Sequence, residues 1–501
     1  MEAVVTRPAS TRGGSLALAA AFALPAAALV LLRIPSLFEP RWYTDEGIFA
    51  AVAHDLLRGH MLYSEAWDNK PPLIFVTYAT IQALFGPGVL PLHAAALAAS
   101  LATLAALLAL AAHLFGPRRA ALAGLLFALL VGTPVIEGNL AMTETFMVVP
   151  TTLAVLLFVR AQARPEAART AAYLACGALL GLAAGYKQVA VCDLLAVLVM
   201  VSLTHARPWR ASGVLLVAFA APQALFAAVF LAAGAFGAYW YAVAGSLGLY
   251  AGLAREGPAA RLTGWLPALL VAAWLVRRRM SGEEVPLTAF PSLWLAFTIA
   301  GAAAGAFPFP HYLQQAAPAA ALAAVSLPFA WERDAPARAL VAATAVLVAA
   351  LVFGQFAVAF RKRQQLDPIA YYHAFFDGDF RTLSDPNDEY FFDGSAVTVR
   401  DVVRQIHADG GGRTLYTWSE LPWLYATGGY TNPTRYYTSF LGEVVPDARP
   451  EIMHDLARLP PDYILISDAT YAPFPELDRF VDERYTLVRW QNDWRLYRRA
   501  S

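Results

Sequence analysis

Apolar runs recur along the first 360 positions, and no other feature of the chain narrows its fold as far. A helix needs about 20 apolar residues to cross a hydrocarbon core of about 30 Å. Such runs are read at 15–34, 90–115, 120–136, 145–160, 171–186, 189–204, 211–234, 262–276, 286–306, 312–330 and 337–359. They predict a mainly α polytopic membrane protein with about eleven transmembrane helices. The run at 15–34 looks like a secretory signal, but the runs behind it favour an uncleaved first span. The segment PLIFVTYATIQALFG (72–86) is shorter and aromatic, and is expected as a re-entrant or interfacial helix.

The charges divide the chain. Residues 1–360 carry 16 acids and 21 bases; residues 361–501 carry 21 acids and 16 bases, the same total in far less length. We therefore expect a membrane domain at 1–360, with a long first outer loop at 35–89, and a soluble domain at 361–501. The second is long enough to bury its own core. Net charge is zero, which gives no electrostatic pull toward nucleic acid. The two cysteines, Cys176 and Cys192, lie inside apolar runs, so neither a disulfide framework nor a CxxC metal site is expected.

Arginine placement sets the orientation. With the N-terminus in the cytoplasm, Arg118 and Arg119, Arg160, Arg164 and Arg169, Arg207 and Arg210, and Arg277 to Arg279 all fall in cytoplasmic connections, as the positive-inside rule requires. The loop 35–89, the connection GNLAMTET (138–145), Lys187, the turn FPFPHY (307–312) and the polar tail then share the outer face.

Chemistry-bearing residues concentrate on that face. Asp45 and Glu46 sit side by side in WYTDEGIFA just after the first span; acids there also suit a helix N-terminus. Glu144 in MTETF lies at the mouth of a span, where a carboxylate costs about 2.5–3.5 kcal/mol. Glu137 is a weaker candidate, readily solvated. Of the chain's three lysines, Lys70 and Lys187 are on this face. Each reads as a snorkelling side chain or as a compact charge for a phosphate. Tyr63 and Asp68, in LYSEAWDNKPPL, and His311 and Tyr312 are pocket candidates. A carboxylate at an apolar interface is made more basic by desolvation, which suits a general base. Asp45 and Glu144 would alternatively hold a divalent cation, since hard cations take oxygen ligands. No other cofactor is expected: there is no P-loop, and no GxGxxG follows a strand.

These residues resemble the membrane glycosyltransferases of the GT-C class that use polyprenyl-phosphate sugars, relatives of protein O-mannosyltransferases and lipid A aminoarabinose transferase. The resemblance rests on the DE pair after the first span, the LYSEAWDNKPPL run, the acid in the second outer loop, the GxxxGYKQ segment and HYLxxxxP, and covers about residues 15–330. It implies a GT-C-like fold and transfer of a sugar, by an inverting displacement, from a polyprenyl-phosphate carrier to an acceptor hydroxyl on a glycan, lipid or protein. It implies that Asp45 takes the hydroxyl proton, that Glu46 is its partner in the motif and that Glu144 holds the second acidic position. Lys70 or Lys187 takes the donor phosphate. Ala/Arg richness and a single outward tail suggest a bacterial plasma membrane, with the C-terminal domain extracytoplasmic. Two other functions use the same topology: a flippase for a lipid-linked glycan, and a non-catalytic assembly protein. A flippase is expected to show midplane charges and internal repeats.

In the tail, RTLYTW and DYILISD read as strands, 398–411 and 448–461 as helices, and YTLVRWQNDWRLYRR as a hairpin turning at Gln491–Asp493. The alternation predicts a small α/β domain. The aromatic stretch WSELPWLYATGGYTNPTRYYTSF reads either as a sugar-stacking surface or as a face docked on the membrane domain.

Overall fold

The computed structural model describes residues 12–253, 264–304, 309–331, 367–383, 390–468 and 473–500. Among the described residues the apolar runs fold as helices. In chain order these are α1 (Arg12–Arg33), α2 (Thr44–Leu57), α3 (Leu73–Phe85), α4 (Val89–Phe115), α5 (Pro117–Gly132), α6 (Thr143–Ala161), α7 (Glu166–Ala184), α8 (Val191–Thr204) and α9 (Pro208–Ala232). Leu266–Met280, Phe290–Ala303 and Ala317–Trp331 follow.

The eleven expected spans are met in part. Among the described residues four helices, α4, α6, α7 and α9, are long and apolar enough to cross a membrane, and several other apolar helices are shorter. Turn chemistry explains one shortfall: α5 stops at Gly132 because Pro134 disfavours a helical Thr133. The run at 337–359 lies outside the described residues, as do Phe307 and Pro308 of the FPFPHY turn. α3 has 13 residues, about 20 Å of helix, too short to cross.

Small residues let helices approach closely where no water drives them together. A Cβ on Gly177 or Gly181 of α7 would sit 2.4 Å from a backbone carbonyl oxygen of α9, that of Leu215 or Phe219. Inside the bundle Asp193 of α8 is fully buried, accepting from Trp294 Nε1 at 2.6 Å and Gln315 Nε2 at 3.2 Å.

The C-terminal part holds one four-stranded sheet: β1 (Leu415–Trp418), β2 (Tyr463–Ser467), β3 (Tyr485–Gln491) and β4 (Trp494–Arg499), in the order β1-β2-β4-β3. β1 and β2 are parallel, with Leu415 opposite Tyr463; β4 is antiparallel to β2 and to β3. Every residue of β1 and β2 is buried. Val402, Ile452, Leu456 and Leu477 from helices Ser395–Ala408, Ala448–Arg458 and Pro475–Arg484 share their core. The β3–β4 turn falls at Asn492 and Asp493, with Asn492 at φ 50°, a conformation asparagine tolerates.

That core is continuous with α2 and α3 through Phe49, Trp67 and Phe75. The aromatic stretch is largely a docking face. Trp423 Nε1 donates to the Tyr43 carbonyl at 3.0 Å, Tyr437 Oη to Asp55 Oδ2 at 2.6 Å, and Arg435 Nη1 to the Tyr63 carbonyl at 3.1 Å. Gly47 makes the contact close: a Cβ there would lie 2.8 Å from Pro422 Cγ and 2.9 Å from the Trp423 nitrogen.

Candidate active site

A cavity of about 810 Å³ opens between the loop 35–89 and the C-terminal part. Three of the residues singled out in the sequence line it: Asp45, Asp68 and Lys70. Asp45 is placed there by the first turn of α2, which starts at Thr44 after an extended Tyr43. The Thr44 hydroxyl donates to the Glu420 carbonyl at 3.2 Å and ties this turn to the far wall. Asp45 itself is half-buried, and its carboxylate has no hydrogen bond or ion pair among the described residues.

The neighbouring wall is the turn Asp68–Asn69–Lys70. Asp68 Oδ1 accepts the Lys70 backbone N–H at 3.0 Å, and Lys70 Nζ donates to Asn69 Oδ1 at 3.0 Å and lies 3.8 Å from Asp68 Oδ1. Burial pushes the Asp68 carboxyl up, and Lys70 draws it part of the way back. Burial acts to lower the Lys70 ammonium, but Asp68 and Asp45 outweigh it and hold it above the usual lysine range. Lys70 is thus a fixed positive charge beside Asp45. Tyr63 lies behind this turn, fully buried, and donates to the Lys70 carbonyl at 2.8 Å; it positions the turn without lining the cavity.

The structure places the remaining acidic and basic candidates away from this cavity. Glu46 faces away from the cavity: it is buried and accepts from Ala141 N at 2.6 Å, with His93 Nε2 at 2.9 Å. Adjacent residues of a helix point about 100° apart, which turns Glu46 toward His93 and Ala141 while Asp45 meets the cavity. Glu46 instead clamps α2 to the second loop. Glu144 and Lys187 pair with each other, and neither lines the cavity. The Thr143 hydroxyl donates to Glu144 at 2.6 Å, and Lys187 Nζ sits 3.6 Å from the Tyr312 ring centroid. Glu137 is not solvated: it is buried, 2.6 Å from His311 Nδ1, and accepts from the Tyr43 hydroxyl at 3.0 Å. His311 therefore holds Glu137 and Tyr43 in place. Tyr312 meets the cavity indirectly, its hydroxyl 3.3 Å from that of Tyr250, which does line it.

Several wall residues were missed in the sequence. Glu420, Asp393 and Asp493 come from the C-terminal part. Glu420 Oε1 accepts from Ser439 Oγ at 2.5 Å and Phe440 N at 2.9 Å. Burial pushes its carboxyl up to about 7 against those hydrogen bonds, and Asp45 adds to the rise. An acid set between the buried strand β1 and Pro422 was the available signal. The described residues do not suit the divalent cation considered for Asp45 and Glu144. Glu144 is already neutralised by Lys187, and no group of three acids, histidines or cysteines among them is placed to hold a metal ion.

Comparison with known proteins finds a family match over part of the chain and a similar fold over nearly all of it. Residues 69–232 match the family model of dolichyl-phosphate-mannose-protein mannosyltransferases. The crystal structure of ArnT from Cupriavidus metallidurans bound to undecaprenyl phosphate is similar at a TM-score of 0.57 and 18% identity, covering 95% of this chain and 97% of that one. ArnT in the apo state gives 0.57 and 17%, with the same coverage. The Archaeoglobus fulgidus oligosaccharyltransferase tethered to an acceptor peptide is more distant, with a TM-score of 0.47 and 13% identity over 90% of this chain and 69% of that one. No curated protein matches the chain in sequence.

Proposed function

We propose that this protein is an integral-membrane glycosyltransferase that moves a sugar from a polyprenyl-phosphate carrier to an acceptor hydroxyl at the outer face of the membrane. One observation carries the reading: Asp45, whose carboxylate has no hydrogen bond or ion pair among the described residues, lines a large cavity with Lys70, an ammonium held by Asn69 and Asp68. The arginine distribution supports the outer face, and with it an extracytoplasmic C-terminal domain in a bacterial plasma membrane of about eleven spans. The undecaprenyl phosphate bound to Cupriavidus ArnT supports a donor of that class.

In the proposed step the acceptor hydroxyl attacks the anomeric carbon from the side opposite the phosphate. Its proton passes to Asp45 as the new carbon–oxygen bond forms. The bond from the anomeric carbon to the phosphate oxygen breaks, and its electron pair leaves on the polyprenyl phosphate. Lys70 stabilises that growing charge. One direct displacement inverts the anomeric centre. Glu144, Lys187 and Tyr312 support the wall behind the site, and Tyr63 fixes the turn that presents Lys70.

The test is a panel of labelled polyprenyl-phosphate sugars offered to the full chain in proteoliposomes, with release of polyprenyl phosphate followed. Release from at least one donor, dependent on Lys70, is expected. Release that is unchanged in Lys70→Met would remove the phosphate role, and no release from any donor would overturn the reading.

A further inference from the structure

The helix Pro368–Asp377, PIAYYHAFFD, carries apolar side chains on both its faces. Its start is fixed by Asp367, whose side chain accepts from the Ile369 and Ala370 backbone N–H groups at 2.9 and 3.3 Å. Gly378, at φ 85°, ends it. The inner face packs on the protein: Tyr371 and Ala374 are buried with Trp42, Tyr43 and Phe392. The Tyr371 hydroxyl donates to Glu39, which also accepts from Trp42 Nε1 at 3.0 Å, and Trp42 lines the cavity.

The outer face is open. Ile369 and Phe376 share a stripe at i and i+7 and are 72% and 80% exposed. His373, between them, is exposed too, a side chain with an apolar body and a polar tip. Phe38, also exposed, extends the patch, its ring centroid 5.7 Å from that of Phe375. A helix facing water carries polar residues on its outer side; one that is apolar all round is matched to apolar surroundings.

Two hydrogen bonds fix the level of this patch. Tyr372 Oη donates to the Leu32 carbonyl at 2.8 Å and to the Gly132 carbonyl at 3.2 Å. Those carbonyls belong to the last turns of α1 and α5, where backbone acceptors are left over. Both helices run outward in the topology that the arginines set. The helix Pro368–Asp377 therefore lies across their outer ends. Leu24 and Leu31 of α1 are exposed, so the open apolar side of α1 runs up to the residue beside that bond. Near the patch the exposed Arg381 guanidinium lies 5.8 Å from the Phe38 ring centroid, a cation that suits the level of lipid phosphates.

We propose that Ile369, Phe376 and Phe38 form an interfacial anchor, which seats the C-terminal part on the outer leaflet with its apolar tips between headgroups and acyl chains. The partner is the bilayer that holds the membrane domain. Through Tyr371, Glu39 and Trp42 the anchor also holds one wall of the cavity at a fixed height above the lipid. The proposal needs α1 and α5 to cross the membrane; it does not need the transferase reading.

The test is site-directed spin labelling of the full chain in liposomes. Ile369→Cys and Phe376→Cys are compared with Leu459→Cys, an exposed position elsewhere in the C-terminal part; Cys176 and Cys192 are buried. Collision with oxygen, which concentrates among acyl chains, is measured against collision with a water-soluble nickel chelate. Labels at 369 and 376 are expected to favour oxygen, with nickel access several-fold below that at 459. Nickel access equal to that at 459, at either position, overturns the proposal. Dipolar broadening that vanishes on dilution with unlabelled protein would put a second copy on the patch, and overturns it too. No turnover is read, so either result leaves the transferase reading to its own test.

Discussion

Lys187→Met should damage the fold far more than the chemistry. Glu144 is 1% exposed and Lys187 11%, so their ion pair is almost wholly removed from water. Removing one partner leaves the other charge buried and uncompensated, at a cost of about 3–5 kcal/mol. The contact of Lys187 Nζ with the Tyr312 ring is lost as well. The double variant Glu144→Gln/Lys187→Met strands no charge, and the amide oxygen it introduces can still accept from the Thr143 hydroxyl. It should therefore recover most of the loss. Unfolding by detergent titration in mixed micelles would measure the three proteins, and donor turnover would be read on the double variant. A double variant no more stable than Lys187→Met would refute the ion-pair argument. A stable double variant that had lost donor binding would make Lys187 a phosphate ligand after all.

Gly47→Ala should loosen the C-terminal part from α2, because its methyl would press on the backbone of Trp423 as well as on Pro422. A loss of about 1–3 kcal/mol is expected, with faster proteolysis of the C-terminal part as the readout. Glu420, with its carboxyl near 7, is neutral below that pH and charged above it. The negative charge Glu420 then carries attracts the proton leaving the acceptor hydroxyl, so turnover should rise several-fold as pH passes through about 7, and Glu420→Gln should flatten that limb of the pH–rate profile. Asp193→Ala should cost about 1–3 kcal/mol by stranding the Trp294 N–H and the Gln315 amide inside the bundle, read by the same detergent titration.

The helices and the small sheet were legible because hydrophobic periodicity and turn residues are local signals. Asp45 and Lys70 were legible because charge is rare in an apolar chain. The hydrogen bonding of Glu46 was not legible, because its histidine partner lies 47 residues away on α4. The pairing of Glu144, in the first turn of α6, with Lys187 joins residues 43 apart and leaves no local mark. Glu420 and the β3–β4 turn reach the cavity only because Trp423 and Tyr437 dock the C-terminal part onto α2, a long-range contact with no period or spacing.

The central claim is that Asp45 accepts the acceptor proton. It is tested most directly by single-turnover release of polyprenyl phosphate in wild type and Asp45→Asn, with donor binding measured in parallel. The account predicts a fall of about 10²–10⁴-fold in the rate with donor affinity retained. Wild-type release by Asp45→Asn would contradict it.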